Sequence, residues 1–209
     1  MNPKYSICIT HYNDAFSARQ SLESILNQIA DDFEVVVVDQ SSTDGSLDVL
    51  EEFAQEGQIA LYRQRFRNRG LGRQLAFEMS RGGYVLSNLD LDDVFLPNLS
   101  EFVSLYHANC EGMFLWNTKG GSIAPRSLIV SLGGWRNLQY SEDFDLASRA
   151  AQIGKFRNTR YRLIALEGRH PERHTRLGEM KFTYLYEREQ MLLRAYPKNR
   201  PDDQPVLIR

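Results

Sequence analysis

Phe33-Glu34-Val35-Val36-Val37-Val38-Asp39-Gln40-Ser41-Ser42-Thr43-Asp44-Gly45 is the stretch that decides the fold class. An almost continuous β-branched run apolar on both sides suits a strand whose sheet is covered on both faces, the situation of parallel sheets. The run stops at Asp39, and the polar loop Gln40 to Gly45 opens a helix through about Phe53. Gln58 to Tyr62 then reads as another strand. Upstream, Tyr5 to Thr10 is a β-rich run followed by the polar loop His11-Tyr12-Asn13-Asp14. A helix follows, with Ala15, Ala18, Leu22, Ile25, Leu26 and Ile29 on one face and Asn13 or Asp14 placed to cap it. Strands alternating with helices predict an α/β fold with a mainly parallel central sheet flanked by helices. In such sheets ligands bind at the carboxyl ends of the strands, so the loops His11 to Asp14, Asp39 to Asp44 and, further on, Asp90 to Asp93 are expected on one edge as one candidate site.

Downstream, a helix over about Asn68 to Ser80 precedes a short strand, Tyr84 to Ser87, which leads into Asn88-Leu89-Asp90-Leu91-Asp92-Asp93. Three carboxylates within four positions repel one another unless a positive charge lies between them. Hard cations such as Mg²⁺ or Mn²⁺ take such oxygens, although a solvated acidic turn has the same composition. Arg63, Arg65 and Arg67 read as solvated surface. Arg69 and Arg73 flank Gly70-Leu71-Gly72 near a helix N-terminus, where backbone N–H groups and guanidinium groups are suited to phosphate. Pro97 begins a helix carrying Leu99, Phe102, Val103 and Tyr106 on one face.

Beyond Met113 to Trp116 the pattern is less regular: a turn at Gly120-Gly121, a short helix from Ala124-Pro125-Arg126 and a break at Gly133-Gly134-Trp135. Ser141 is placed to cap a helix from Glu142 to about Gln152, and Arg160 to Leu166 reads as a strand. Residues 167–179 read as a charged loop with His170 and His174, Met180 to Tyr196 as an amphipathic helix, and 197–209 as a loosely held tail. The expected organisation is one domain over 1–166, with residues 167–209 packed on it.

With 209 residues, 42% hydrophobic and 25% charged, the chain is long enough for a full core. A formal net charge of −2 excludes general nucleic-acid affinity as an expectation. Two cysteines, Cys8 and Cys110, give neither a disulfide framework nor a metal-ligand spacing, which points to a reducing compartment. No apolar run reaches the length of about 20 residues needed to span a bilayer. Met1-Asn2-Pro3-Lys4 leads into a strand rather than a signal peptide, so a cytoplasmic location is expected.

The segments Ser6 to Asn13, Val37 to Ser46, Arg67-Asn68-Arg69-Gly70-Leu71 and the acidic loop after Ser87 stand in a characteristic order. With Gly133-Gly134-Trp135 and Ser141-Glu142-Asp143-Phe144-Asp145-Leu146 downstream, the chain resembles the family 2 glycosyltransferases of the GT-A fold over roughly residues 4 to 166. The resemblance implies inverting transfer of one sugar from a nucleoside-diphosphate donor to an acceptor hydroxyl, on a glycan or a lipid-linked acceptor, assisted by Mn²⁺ or Mg²⁺. It implies that Asp39 contacts the base or ribose and that Asp90-Leu91-Asp92 is the metal-binding triplet. Asp92 would then be the direct ligand, with Asp90 on the ribose or a metal-bound water. Asp143, beside Glu142, is implied as the general base. Thr10, Tyr12, Asn13, Arg69 and Arg73 join the expected nucleotide-binding set. Gln40 and Ser41 depart from the acid and glycine common there. The Gln-x-x-Arg-Trp motif usual in processive polysaccharide synthases is absent, so transfer of a single sugar is expected.

Some readings stay open on the sequence. Acids in the first turn of a helix are favoured by its dipole without any catalytic purpose. Trp135 suits core packing as well as a face for the acceptor sugar, and His170 suits either an added metal ligand or an exposed loop. The apolar face of residues 180–196 fits sheet packing, a homodimer or peripheral contact with an anionic membrane. A relative that has lost catalysis and only holds a nucleotide or glycan is the alternative reading. A nucleotidyltransferase is disfavoured, since His11 to Asp14 is not a glycine-rich basic loop.

Overall fold

A computed structural model describes residues 3–118 and 120–166. The expected loop with His170 and His174, the helix over 180–196 and the tail lie outside the described residues, as does the packing of 167–209 on the domain. The sheet is built first from β1 (Tyr5–His11), β2 (Phe33–Asp39), β3 (Ala60–Arg63) and β4 (Tyr84–Ser87), which pair in parallel in the order β3-β2-β1-β4. Beyond β4 come β7 (Ser122–Pro125), β6 (Phe114–Asn117) and β8 (Phe156–Thr159), completing seven strands. Only β7 runs against the others: it is antiparallel to both β4 and β6, while β6 and β8 are parallel. The expected mainly parallel sheet is therefore present.

The valine run of β2 shows why both faces had to be apolar. Val35 and Val37 enter one core with Ile7 and Ile9 of β1, against α1 (Ala18–Leu26), α2 (Ser46–Gln55) and α4 (Leu99–Asn109). Val36 and Val38 enter the other with Cys8, against α3 (Arg69–Met79), α5 (Arg126–Ser131) and α6 (Glu142–Gln152). Alternate side chains of a strand point to opposite faces, so a strand between two helical layers is apolar at every position.

Several expectations are corrected. The first helix starts at Ala18 after Ser17, not at Asn13 or Asp14, and Asp14 Oδ1 instead accepts the Ser17 N–H at 3.3 Å in the preceding turn. The third strand runs Ala60–Arg63 rather than from Gln58. Arg160 to Leu166 is not one strand: β8 ends at Thr159, and β9 (Ile164–Leu166) pairs antiparallel with the two-residue β5 (Val94–Phe95) in a separate small sheet. Ser141 stands at the cap position of α6, but in the left-handed region (φ 60°) and without a side-chain capping bond. Among the described residues no helix is long and apolar enough to cross a membrane.

Candidate active site

The carboxyl ends of β1, β2 and β4 do meet on one edge. Asn13 bends there with φ 49°, its N–H donating to Ser42 Oγ (3.0 Å) and its Oδ1 accepting the Thr43 N–H (2.8 Å), while Asp44 Oδ2 accepts the Ala15 N–H. Asn13 thus zips the loop after β1 to the loop after β2. Asp39, the last residue of β2, is buried; its Oδ2 accepts the Ser42 N–H at 3.1 Å, and its Oδ1 is buried with no hydrogen-bond partner among the described residues. Gln40, also buried, donates from Nε2 to the carbonyl of Asn68 at 2.6 Å. That bond brings in the start of α3, where Asn68 caps the helix by accepting the Leu71 N–H.

Between these loops and the acidic loop after β4 lies a cleft enclosing about 570 Å³, part of it open to solvent. Thr10, Tyr12, Arg69, Arg73, Asp90 and Asp92, all singled out from sequence, line it together. Tyr12 presents a ring with the Arg67 guanidinium 4.6 Å from its centroid. Asn13, Asp39, Trp135, Glu142 and Asp143 do not line the cleft, although Glu142 touches it through Arg73. Arg73 Nε donates to Glu142 Oε1 at 2.8 Å, and its Nη2 lies 3.7 Å from Asp90 Oδ1. Burial alone would lower the Arg73 pKa; Asp90, Glu142 and Asp143 outweigh it and hold the guanidinium charged.

Two expectations change here. Trp135 is only 4% exposed and packs in the second core with Phe77, 5.8 Å between ring centroids, so no ring face is offered to a sugar. Glu142 is buried against Arg73 and is not poised to take a proton from an acceptor. Asp143 is half-buried, and its Oδ1 accepts the N–H of Phe144 at 2.8 Å. Among the described residues no group of three or more His, Cys, Asp or Glu is gathered around one point for a metal; His170 lies outside them.

His11 and Gln40, in loops expected at this edge but not singled out as site residues, and Arg67, expected as solvated surface, also line the cleft. The sequence pattern puts His11 in the loop after the strand, yet β1 extends through it, which places it at the strand's carboxyl end. Its ring is buried, and Nε2 has no hydrogen-bond partner among the described residues. Burial lowers its pKa against the opposing pull of Asp39, Asp14, Asp44 and Asp90, so the imidazole is neutral near pH 7.

Comparison with known proteins agrees with this architecture. The poly(ribitol-phosphate) beta-glucosyltransferase of Bacillus spizizenii is 34% identical over 134 residues, covering 60% of this chain and 21% of that protein. The chain spans about a third or less of the length of curated relatives such as the Bacillus subtilis putative glycosyltransferase EpsH. In fold it is similar to the mannosyltransferase PcManGT from Pyrobaculum calidifontis, solved with GDP-Man and Mn²⁺ (TM-score 0.66, 21% identity, 78% of this chain and 55% of that one). It is similar also to glucosyl-3-phosphoglycerate synthase from Mycobacterium tuberculosis, solved with Mn²⁺, UDP and glucosyl-3-phosphoglycerate (TM-score 0.64, 16% identity, 94% and 82%). The profile of Glycosyl transferase family 2 matches residues 6–161, from the first strand to just past the last strand of the main sheet, and the chain belongs to that family.

Proposed function

We propose that this chain carries the donor-binding and catalytic part of an inverting glycosyltransferase, which moves one sugar from a nucleoside diphosphate to a hydroxyl of a glycan or lipid-linked acceptor. The observation that carries the reading is the cleft itself. Basic Arg69 and Arg73 and acidic Asp90 and Asp92 line it together, and buried polar atoms on its walls, His11 Nε2 and Arg73 Nη1, have no hydrogen-bond partner among the described residues. Buried donors and acceptors are rarely left unsatisfied in native proteins, so unpaired ones in a cleft wall mark where a polar ligand binds.

Asp39 Oδ1, buried and unpaired one strand away, is assigned to the nucleoside. The Tyr12 ring, with Arg67 across it, offers a flat surface to the base. Arg69 is assigned to the diphosphate, whose negative charge grows as the sugar departs. Asp90 and Asp92 supply hard oxygens, the donor type Mg²⁺ and Mn²⁺ take, and two carboxylates suit an ion shared with a diphosphate better than a cage of protein ligands alone. Bound there, the ion would neutralise charge on the leaving diphosphate.

In the transfer, the acceptor oxygen forms a bond to the anomeric carbon as the bond to the diphosphate oxygen breaks, and the diphosphate leaves with the electron pair. Asp143 takes the hydroxyl proton. A single in-line displacement inverts the anomeric centre and needs no covalent enzyme intermediate. NMR of the product tests this directly: inverted configuration at the transferred sugar is expected, and retention would exclude the mechanism.

A further inference from the structure

Arg73 occupies an unusual place for a residue expected only to meet phosphate. It is 6% exposed, and it joins three separate parts of the chain. It belongs to α3, its Nε holds Glu142 at the start of α6, and its Nη2 reaches Asp90 on the loop after β4. Glu142 is 2% exposed, and the only ion pair it forms among the described residues is with Arg73. A carboxylate buried to this degree persists only when it is paired, so the pair fixes where α6 begins. A guanidinium is a rigid planar fork, so it sets direction as well as distance.

We propose that Arg73 is a positioning residue: through Glu142 it anchors the first turn of α6, and with it Asp143, against the donor loop that carries Asp90. The catalytic consequence rests on the glycosyltransferase reading above; the anchoring does not. Glu142 is then the fixed counter-ion of the anchor, and the neighbouring Asp143 is the group it holds in place. The third nitrogen, Nη1, is buried and has no hydrogen-bond partner among the described residues, which leaves one hydrogen bond of the same guanidinium for an oxygen of the donor. Donor loop and base would thereby be kept in register by one side chain.

The test compares Glu142→Gln, Arg73→Lys, Arg73→Gln and the double variant Arg73→Gln/Glu142→Gln. Two readouts are taken: hydrogen exchange of the Asp145 to Ala147 amides in the free protein, and kcat and KM per folded molecule. Faster exchange at those amides is expected in Glu142→Gln and Arg73→Gln. With it, kcat should fall by about ten- to hundredfold in both, while donor KM in Glu142→Gln, which keeps the guanidinium for the donor, stays within about threefold, as for a misplaced catalytic group. Arg73→Lys should recover part of the loss, and the double variant should be no worse than Arg73→Gln because no unpaired buried carboxylate remains. Should Arg73→Gln fail to fold, the near-isosteric Glu142→Gln carries the test. Unchanged exchange would overturn the anchor, and so would a loss confined to donor KM, which would make Arg73 a phosphate ligand alone. Altered exchange in a protein whose wild type turns over no donor would sustain the anchor and remove the glycosyltransferase reading.

Discussion

Glu142 and Asp143 are neighbours in sequence with opposite surroundings: one is sealed against Arg73, the other half-buried. The helix dipole favours acids at both positions; the family resemblance points to Asp143 as the base, and burial sets Glu142 apart from it. Asp143→Asn should lower turnover by about two orders of magnitude or more while leaving donor affinity nearly intact, as loss of a general base does. Steady-state kinetics beside nucleotide titration checks this, and a near wild-type rate would remove Asp143 from the chemistry. Asp92→Ala should abolish the metal dependence of donor binding; calorimetric titration with and without Mn²⁺ reads it, and an undiminished metal effect would count against the assignment. His11 gives a pH signature. Its pKa lies below 6.5 in the fold, so at this site the unfolded chain binds more protons as pH falls through that value, and the His11 contribution to stability rises with pH across this window. His11→Gln should flatten that part of the slope in urea midpoints measured between about pH 5 and 8.

At the scale of elements, the close approach of α3 to the loop before α6 defines the basic side of the cleft. Gly70 N–H donates to the Leu138 carbonyl at 2.9 Å, and a Cβ on Gly70 would stand 2.0 Å from the Arg136 carbonyl oxygen. Because the obstacle is backbone, Gly70→Ala should cost about 1–3 kcal/mol, which denaturant unfolding would show as a lower midpoint. Arg149 ties α6 to the glycine turn, donating to the Leu132 and Gly134 carbonyls and pairing with Asp145. The long, strongly patterned elements were legible in sequence: β1, β2, α2, α3 and α6 need only periodicity and end signals. The short ones were not. β5 has two residues and pairs with β9 across about seventy positions, and β7 is four residues fixed by pairing with β4 and β6. Such strands owe their existence to partners, not to any local pattern.

For the whole molecule, the rule that parallel strands deliver their loops to one edge was enough to predict that the loops after β1, β2 and β4 converge, and they do. What the sequence could not supply was depth. Trp135 sits near the candidate site in sequence but in the core in space, and His11 sits in the cleft wall because β1 runs one residue further than its apolar pattern suggests. The central claim is that the cleft holds a nucleoside-diphosphate sugar with a divalent ion. Thermal unfolding with a panel of nucleoside diphosphates and their sugar conjugates, each with Mn²⁺, Mg²⁺ or chelator, tests it most directly. A ligand that binds only the native state stabilises it by about 2.7 kcal/mol at a hundredfold excess over Kd. The account predicts a rise in Tm for one nucleotide class, present with metal, reduced by chelator and lost in Asp92→Ala. No shift for any member of the panel with a well-folded wild-type protein would contradict it.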